Sequence, residues 1–219
     1  MMHERARERI VAYAQRMAAE RLVQFTAGNV SCRVPDEPNL IAVTPGSLPY
    51  EEMRPDDVCV VTVDGEPVDG ERAPTSELPL HTATYLRRPD VHAVIHTHSP
   101  SASVLAVMDL RLPAILAPLV SAAGGDIETA PYARGETIEM VDRTAAALRD
   151  RSSCFLRQHG VLSIGPSLED AYNAAAVVEH AASVFLAARA IGPVPELPPE
   201  EIARIRQKWL GRWKQPVFE

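Results

Sequence analysis

The stretch VHAVIHTHS, residues 91–99, decides how the middle of this chain folds. It follows a Pro-Asp turn signal and is rich in apolar and β-branched residues, a pattern that predicts a strand. His96 and His98 lie two residues apart, so on a strand their side chains leave the same face, about 6.6 Å apart at the backbone. Two imidazoles can then converge on one metal ion at about 2.1 Å. A polar strand face without a metal is the alternative.

The segments on either side of this strand have helical patterns. Residues 76–88 (SELPLHTATYLRR) predict a helix in which Pro79 is tolerated because it falls near the first turn. Residues 101–108 (SASVLAVM) predict a second, short helix. Glu77 opens the upstream helix, where the helix dipole by itself favours a carboxylate.

The N-terminal part predicts a helix followed by strands. Apolar residues recur at helical spacing over 3–22. The segments FTAGNVSCRV, NLIAVT and VCVVTVDGEPV then predict strands, with a hairpin turn at Asp64-Gly65.

The C-terminal half predicts mixed elements in the following order. Residues 112–136 contain Pro and Gly every few positions and predict short strands and loops rather than one long element. Further along, we expect a helix over 136–149, two strands (SCFLRQ and GVLSIG) around a His159-Gly160 turn, a long helix from the N-cap Ser167 to about Ala190, a Pro-rich linker at 192–199, and a last helix from 200 to about 210. Residues 1–219 are therefore expected to form a single α/β domain of three layers around a mostly antiparallel sheet, with the linker joining the C-terminal helix.

Composition excludes several classes of protein. The 219 residues are 46% hydrophobic and 23% charged, which is typical of a globular chain. The 29 acidic residues exceed the 22 basic ones and no basic run occurs, which argues against nucleic-acid and anionic-membrane partners. Apolar runs fall short of the roughly 20 residues that cross a bilayer, and no basic, apolar leader opens the chain, so a cytoplasmic location is expected. Cys32, Cys59 and Cys154 are far apart and are expected to be core residues.

Two further segments have residues suited to an anion. Thr75 and Ser76 supply hydroxyls beside Glu77 at a helix start, and TAGNVS (residues 26–31) combines hydroxyls, an amide and a glycine. Neither segment contains Lys or Arg, so neutral donors and the metal, rather than charged side chains, would hold a phosphate there. Taken singly, each segment is more often an ordinary turn or cap, and His159 alone would be interpreted as an exposed turn histidine.

The order of the motifs resembles the class II aldolase/adducin family. From the first helix to about residue 190 the chain contains, in sequence, GNVS, TPGSLPYEEM, PTSELPLHTATY, HAVIHTHSPSA, APYARGE and LRQHGVLSIG. The resemblance implies an α/β/α sandwich around a largely antiparallel sheet. It also implies a homotetramer with active sites at subunit contacts.

The resemblance also implies roles for particular residues. His96, His98 and His159 match histidines that bind a divalent metal, usually Zn²⁺, with Mn²⁺ or Co²⁺ as alternatives. Glu77 matches a glutamate that lies beside the metal, counts among its candidate ligands and acts as the acid/base. Tyr132 matches a tyrosine that reaches a neighbouring subunit's active site and supplies a proton to the leaving oxygen. The residues that match the phosphate site are Thr26, Gly28, Asn29, Gly46, Ser47, Thr75 and Ser76.

The chain departs from the family pattern at three places. It reads TPGS where the aldolases often read TPTG or TPSG, and Thr75 replaces a common serine. The tail QKWLGRWKQPVFE has no match for a second, C-terminal tyrosine. We interpret Trp209 and Trp213 in that tail as packing residues rather than a cover for the site.

The predicted activity is that of a class II, zinc-dependent aldehyde-lyase. It would cleave the C3–C4 bond of a ketose 1-phosphate to dihydroxyacetone phosphate and an aldehyde, through a metal-stabilised enediolate. Other chemistries of the family on a sugar phosphate stay open: methylthioribulose-phosphate dehydration, sugar-acid phosphate decarboxylation, and pentulose-phosphate 4-epimerisation, whose enzymes usually carry Asp where Glu77 stands. A non-catalytic adducin-like scaffold and a zinc hydrolase are the rivals from other classes.

Overall fold

The computed structural model describes residues 2–135 and 137–214. Residue 136, the first position of one predicted helix, and residues 215–219 of the tail lie outside the described residues. The described helices are α1 (Glu4–Ala19), α2 (Leu78–Arg87), α3 (Pro100–Met108), α4 (Ala117–Ala123), α5 (Ile138–Leu148), α6 (Leu168–Ile191) and α7 (Pro199–Trp213). The described strands are β1 (Asn29–Val34), β2 (Glu37–Val43), β3 (Cys59–Thr62), β4 (Pro67–Asp69), β5 (Ala93–Thr97), β6 (Thr129–Ala130), β7 (Ser153–Leu156) and β8 (Gly160–Gly165).

All eight described strands form one sheet in the order β4-β3-β2-β1-β5-β8-β7-β6. Neighbouring strands are antiparallel except for β6 and β7, which are parallel. Residues of α1 and α6 pack in one core cluster, and residues of α2 and α5 pack in another. The predicted three-layer α/β/α sandwich with a mostly antiparallel sheet is confirmed.

Strand β5 lies in the interior of the sheet and is buried on both faces. Ala93 and Ile95 belong to the core cluster of α1 and α6, whereas Val94 belongs to the cluster of α2 and α5. Because side chains alternate along a strand, His96 shares the face of Val94, which α2 covers. The central strand therefore directs its histidine toward the start of α2.

Residues 112–136 contain a helix that the sequence analysis did not predict. Helix α4 has a proline in its first turn and is followed by the C-cap residue Gly124, whose φ of 87° is left-handed. The Pro and Gly residues therefore mark the ends of a short helix, and the expectation of strands and loops alone was wrong there. The two-residue strand β6 does confirm the predicted short strand.

Helix α6 is the one described helix that is long and apolar enough to cross a bilayer by length and composition. The sequence analysis expected no such segment because uninterrupted apolar runs are short, but α6 has few charges among many alanines. Its buried residues include Tyr172, Val178 and Phe185, which belong to the core clusters of the sheet and of α3. These contacts place one side of α6 against the core. Its predicted N-cap is confirmed, since the Ser167 hydroxyl accepts a hydrogen bond from the backbone N–H of Asp170 at 3.0 Å.

The C-terminal helix α7 packs against α4 through a buried tryptophan. Trp209 is 4% exposed, and its Nε1 donates to the Ser152 hydroxyl at 3.1 Å. Its ring packs so closely on Gly124 that a Cβ added to that glycine would lie 2.9 Å from the ring. The packing role expected for Trp209 is confirmed. The domain boundary of 1–219 and the linker role of 192–199 stay predictions. The three cysteines are free and buried, as expected.

Gly160 is required by a close approach of two strands rather than by the turn before it. The predicted turn between β7 and β8 is present, but its left-handed residue is Gln158, with a φ of 56°, and not the glycine. A Cβ on Gly160 would lie 2.3 Å from the carbonyl oxygen of Thr97 and 3.1 Å from the rings of His96 and His98. The bare backbone of Gly160 thus allows β8 to lie against β5 beside the histidines.

We expect Gly160→Ala to destabilise the fold by about 3 kcal/mol, because overpacking against a buried backbone atom forces the strands apart. The free energy of unfolding in urea measures this change. The matched control is Gly211→Ala in α7, where an added Cβ meets nothing within 4 Å. Since alanine is a better helix former than glycine, the control should gain up to about 1 kcal/mol. Equal stability of the two variants would contradict the assignment.

Candidate metal centre and active site

Three histidines that are distant in sequence meet at one point of the structure. His96 is in strand β5, His98 follows the end of that strand, and His159 is in the turn between β7 and β8. Because Thr97 pairs with Val161 in the β5–β8 ladder, the turn that precedes β8 lies beside the end of β5. The ring centroids are 4.7 Å apart for His96 and His98, 4.7 Å for His96 and His159, and 5.1 Å for His98 and His159. The predicted convergence of the three imidazoles is therefore present.

Burial favours the neutral, metal-binding form of His96 and His98. His96 is 0% exposed, and desolvation lowers its pKa to about 3. Desolvation also lowers the pKa of His98. Nδ1 of His96 lies 2.9 Å from the carbonyl oxygen of Val161, so a neutral His96 donates from Nδ1 and leaves the Nε2 lone pair free.

Glu77 places its carboxylate against the imidazoles from the N-cap position of α2. Oε2 lies 3.2 Å from Nε2 of His96, and Oε1 lies 3.1 Å from Nε2 of His159. The side-chain amide of Asn29 donates to Oε2 at 2.7 Å. Burial by itself would raise the pKa of Glu77, but its electrostatic interaction with the neighbouring imidazole groups and the hydrogen bond from Asn29 outweigh it and hold that pKa well below its usual range. The group is a carboxylate.

The donor set fits a divalent metal ion. One ring nitrogen from each of the three histidines lies within 4.8 Å of the others. Nε2 of His96, whose proton is on Nδ1, faces Nε2 of His98 at 2.8 Å and the Glu77 carboxylate at 3.2 Å. Lone pairs directed at one point in a buried site are stabilised by a cation, and three imidazoles are a known ligand set for zinc.

A cavity of about 890 Å³ opens beside this cluster. Its lining includes Glu77, His98 and His159. The same cavity is lined by every residue that was predicted to bind phosphate: Thr26, Gly28, Asn29, Gly46, Ser47, Thr75 and Ser76. The structure thus brings the candidate metal ligands and the candidate anion site into one space.

The anion-side residues differ in how their polar groups are used. The Thr75 hydroxyl accepts hydrogen bonds from Nδ2 of Asn29 at 3.2 Å and from the backbone N–H of Glu77 at 3.3 Å, so its own proton is available to a ligand. The backbone N–H of Gly46 donates to the carbonyl oxygen of Ala73 at 3.1 Å and is therefore used within the fold. Gly28 has a φ of 92°, and a Cβ there would lie 2.7 Å from the His96 carbonyl oxygen.

The sequence analysis missed Arg72 as a residue of this cavity. It lines the cavity together with Thr75 and Ser76, and its Nε donates to Asp57 at 2.6 Å. The expectation that neutral donors and the metal hold a phosphate stays a prediction, but the cavity also contains a guanidinium. The signal in the sequence was a cation three residues before Thr75, just outside the motif.

Tyr132 does not line the cavity of its own chain. It is 55% exposed, on the segment before α5, while Gly135 of the same segment does line the cavity. Its predicted role at a neighbouring subunit's site stays a prediction.

Comparisons with known proteins agree with this geometry. The family model described as "Class II Aldolase and Adducin N-terminal domain" matches residues 8–186. A 5-deoxy-D-ribulose 1-phosphate aldolase of Bacillus thuringiensis is 34% identical over 98% of this chain and 100% of its own length. An L-fuculose phosphate aldolase of Escherichia coli is 36% identical over 86% of each chain. The solved structure of an L-fuculose 1-phosphate aldolase superposes with a TM-score of 0.89 at 31% identity, covering 96% of this chain and 100% of that one. The chain therefore belongs to the class II aldolase and adducin family.

Proposed function

We propose that this chain is a metal-dependent aldolase that cleaves a ketose 1-phosphate to dihydroxyacetone phosphate and an aldehyde. The observation that carries the proposal is the meeting of three imidazoles and the Glu77 carboxylate in a cavity whose other side has hydroxyls and a guanidinium suited to a phosphate. Relatives named as aldolases of 5-deoxy-D-ribulose 1-phosphate and L-fuculose phosphate support the same reaction class.

In this proposal His96, His98 and His159 hold the metal, for which Zn²⁺ suits the imidazole donors and Mn²⁺ or Co²⁺ could substitute. A bound divalent cation supplies a Lewis acid that polarises carbonyl and hydroxyl oxygens. The buried ring of His96, fixed by its bond to Val161, keeps one ligand nitrogen in a constant orientation.

Glu77 moves the proton at C3 of the sugar. In the addition direction its carboxylate removes a proton from the carbon beside the carbonyl of dihydroxyacetone phosphate, and in cleavage it returns a proton to that carbon. Asn29 donates to Oε2 of Glu77 at 2.7 Å, which leaves Oε1 beside Nε2 of His159 at 3.1 Å.

The remaining residues bind and orient the substrate. The seven predicted phosphate residues, with Arg72, surround the phosphate. Tyr132 of a neighbouring subunit takes the proton of the C4 hydroxyl in cleavage and donates a proton to the aldehyde oxygen in addition, which requires the homotetramer that the family resemblance implies. We also propose that the enzyme works in the cytoplasm, where sugar phosphates are metabolised.

The substrate is proposed to be a deoxyketose 1-phosphate. Both 5-deoxyribulose and fuculose, for which the relatives are named, lack a hydroxyl at the terminal carbon. The aldehyde released from such a sugar ends in a methyl group. The choice between the pentulose and the hexulose depends on the aldehyde end, where the chain has no match for the family's C-terminal tyrosine.

The test is product analysis of the zinc-loaded protein with 5-deoxy-D-ribulose 1-phosphate, L-fuculose 1-phosphate and the two free ketoses. We expect dihydroxyacetone phosphate and aldehyde in equal amounts from a phosphorylated sugar. For the free ketoses we expect kcat/KM at least about 100-fold lower, because charge-assisted hydrogen bonds to the phosphate are lost. Loss of water, release of carbon dioxide or an inverted carbon centre would replace the aldolase assignment by one of the family's other reactions. Cleavage of simple esters would favour a hydrolase, and no reaction at all would favour a scaffold.

A further inference from the structure

We propose that His81 is a positioning residue, which fixes the orientation of the Asn29 side-chain amide and through it the carboxylate of Glu77. This inference rests on the proposed function only in that Glu77 is taken as the proton carrier. From the sequence, a histidine one turn after Glu77 in a helix could be structural, exposed to solvent or close to the site. The structure excludes the solvent role, because His81 is 0% exposed.

A continuous chain of buried side chains leads to Glu77. The Tyr85 hydroxyl lies 2.8 Å from the Ser31 hydroxyl, which lies 2.6 Å from Nδ1 of His81. Nε2 of His81 lies 2.5 Å from Oδ1 of Asn29, and Nδ2 of Asn29 lies 2.7 Å from Glu77. Tyr85, Ser31, His81 and Asn29 are each 2% exposed or less.

The direction of every hydrogen bond in this chain follows from the carboxylate at its end. An ionised carboxylate only accepts, so the NH₂ group of Asn29, not its oxygen, faces Glu77. Oδ1 of Asn29 then faces His81 and requires a donor, so Nε2 of His81 carries a proton. In a neutral imidazole Nδ1 is then an acceptor, so the Ser31 hydroxyl donates a hydrogen bond to it. The Ser31 oxygen in turn accepts a hydrogen bond from the Tyr85 hydroxyl.

His81 is the member that prevents Asn29 from turning over. If the amide rotated by half a turn, its oxygen would face the Glu77 carboxylate at 2.7 Å and its NH₂ group would face the Nε2–H of His81. Both contacts would then be repulsive. Burial lowers the pKa of His81 to about 4, which agrees with the neutral ring that this arrangement needs.

The position of His81 in α2 links it to Glu77. The two residues are four apart, so they lie on the same side of the helix start. Helix α2 therefore has Glu77 at its N-cap and also carries His81, which holds the amide that binds the Glu77 carboxylate. Asn29, on β1, is held between them.

The kinetic test compares His81→Phe, which keeps an aromatic ring without a donor, with His81→Gln, which keeps an N–H group. We expect His81→Phe to lower kcat about 10- to 100-fold with the metal retained and KM changed less than kcat, the range found for residues that orient active groups. His81→Gln should recover most of this loss. The control is Thr84→Val, a buried change on the same helix whose hydroxyl donates to the Leu80 carbonyl oxygen. Equal losses in the Phe and Gln variants, or losses that follow thermal stability alone, would overturn the proposal.

A second test needs no aldolase activity. In protein labelled with ¹⁵N-histidine, the signals missing from His81→Gln identify His81, and their long-range couplings distinguish an Nε2–H ring from an Nδ1–H ring. We expect the neutral Nε2–H form at pH 7, and an Nδ1–H ring or an imidazolium would overturn the inference. An inactive protein with the Nε2–H form would refute the aldolase function alone, whereas an active enzyme with the Nδ1–H form would refute the positioning role alone.

Discussion

The variant His96→Ala is expected to lose its bound metal and its activity together. His96 is the most deeply buried of the three imidazoles, and its Nε2 lies 2.8 Å from Nε2 of His98 and 3.2 Å from the Glu77 carboxylate. Removing it leaves two nitrogen ligands, which is one fewer than the three protein ligands of a catalytic zinc site. A Lewis acid lowers the activation barrier by several kcal/mol, so we expect kcat to fall about 10³-fold or more when the metal is lost.

Metal content per chain, measured by mass spectrometry after dialysis, checks this prediction beside the kinetics. The same ion should raise the Tm of the unsubstituted protein but not that of His96→Ala, because only a folded state that binds the ion is stabilised by it. His180→Ala, at an exposed position of α6, is the control and should keep full metal and activity. Stoichiometric zinc in His96→Ala would contradict the ligand assignment.

Part of this metal centre could be predicted from local sequence, and part could not. The pair His96 and His98 follows from the two-residue period of a strand, and the structure has that strand as Ala93–Thr97. His159 joins them only because β8 pairs with β5 in a particular register, a contact between residues about 60 positions apart in sequence. No local pattern encodes that register, and the family resemblance supplied the third ligand instead.

Arg72 and His81 also join the site through contacts between distant parts of the chain, which local sequence does not encode. Arg72 precedes the helix-start motif and enters the cavity because residues 45 and 74 form an isolated bridge that draws the two segments together. His81 has a full set of hydrogen-bond partners on β1, and only the fold places that strand beside α2. Helix α4 was missed for a different reason, since Pro and Gly can mark the ends of a short helix as well as exclude a long one.

Glu77→Gln is expected to lower kcat about 10³-fold while metal binding and phosphate affinity persist. Glutamine has nearly the shape of glutamate and keeps an oxygen that can accept the hydrogen bond from Asn29. It cannot take up a proton, and a positioned acid/base contributes about 10² to 10⁴ in rate. The loss should therefore appear in kcat, since the groups that bind the phosphate are untouched.

The sharpest measurement for Glu77→Gln isolates the proton step from the cleavage of the carbon–carbon bond. Dihydroxyacetone phosphate alone, in heavy water, should exchange a hydrogen at the carbon that becomes C3 in the presence of the unsubstituted enzyme, and this exchange should be lost in the variant. The control is Glu71→Gln, which removes a second carboxylate from the same cavity at an exposed position and should change kcat less than about twofold. If Glu77→Gln binds metal and inorganic phosphate normally and still exchanges hydrogen at the full rate, another group carries the proton. The short contacts of Glu77 with His96 and His159 would then serve only to hold the imidazoles in place.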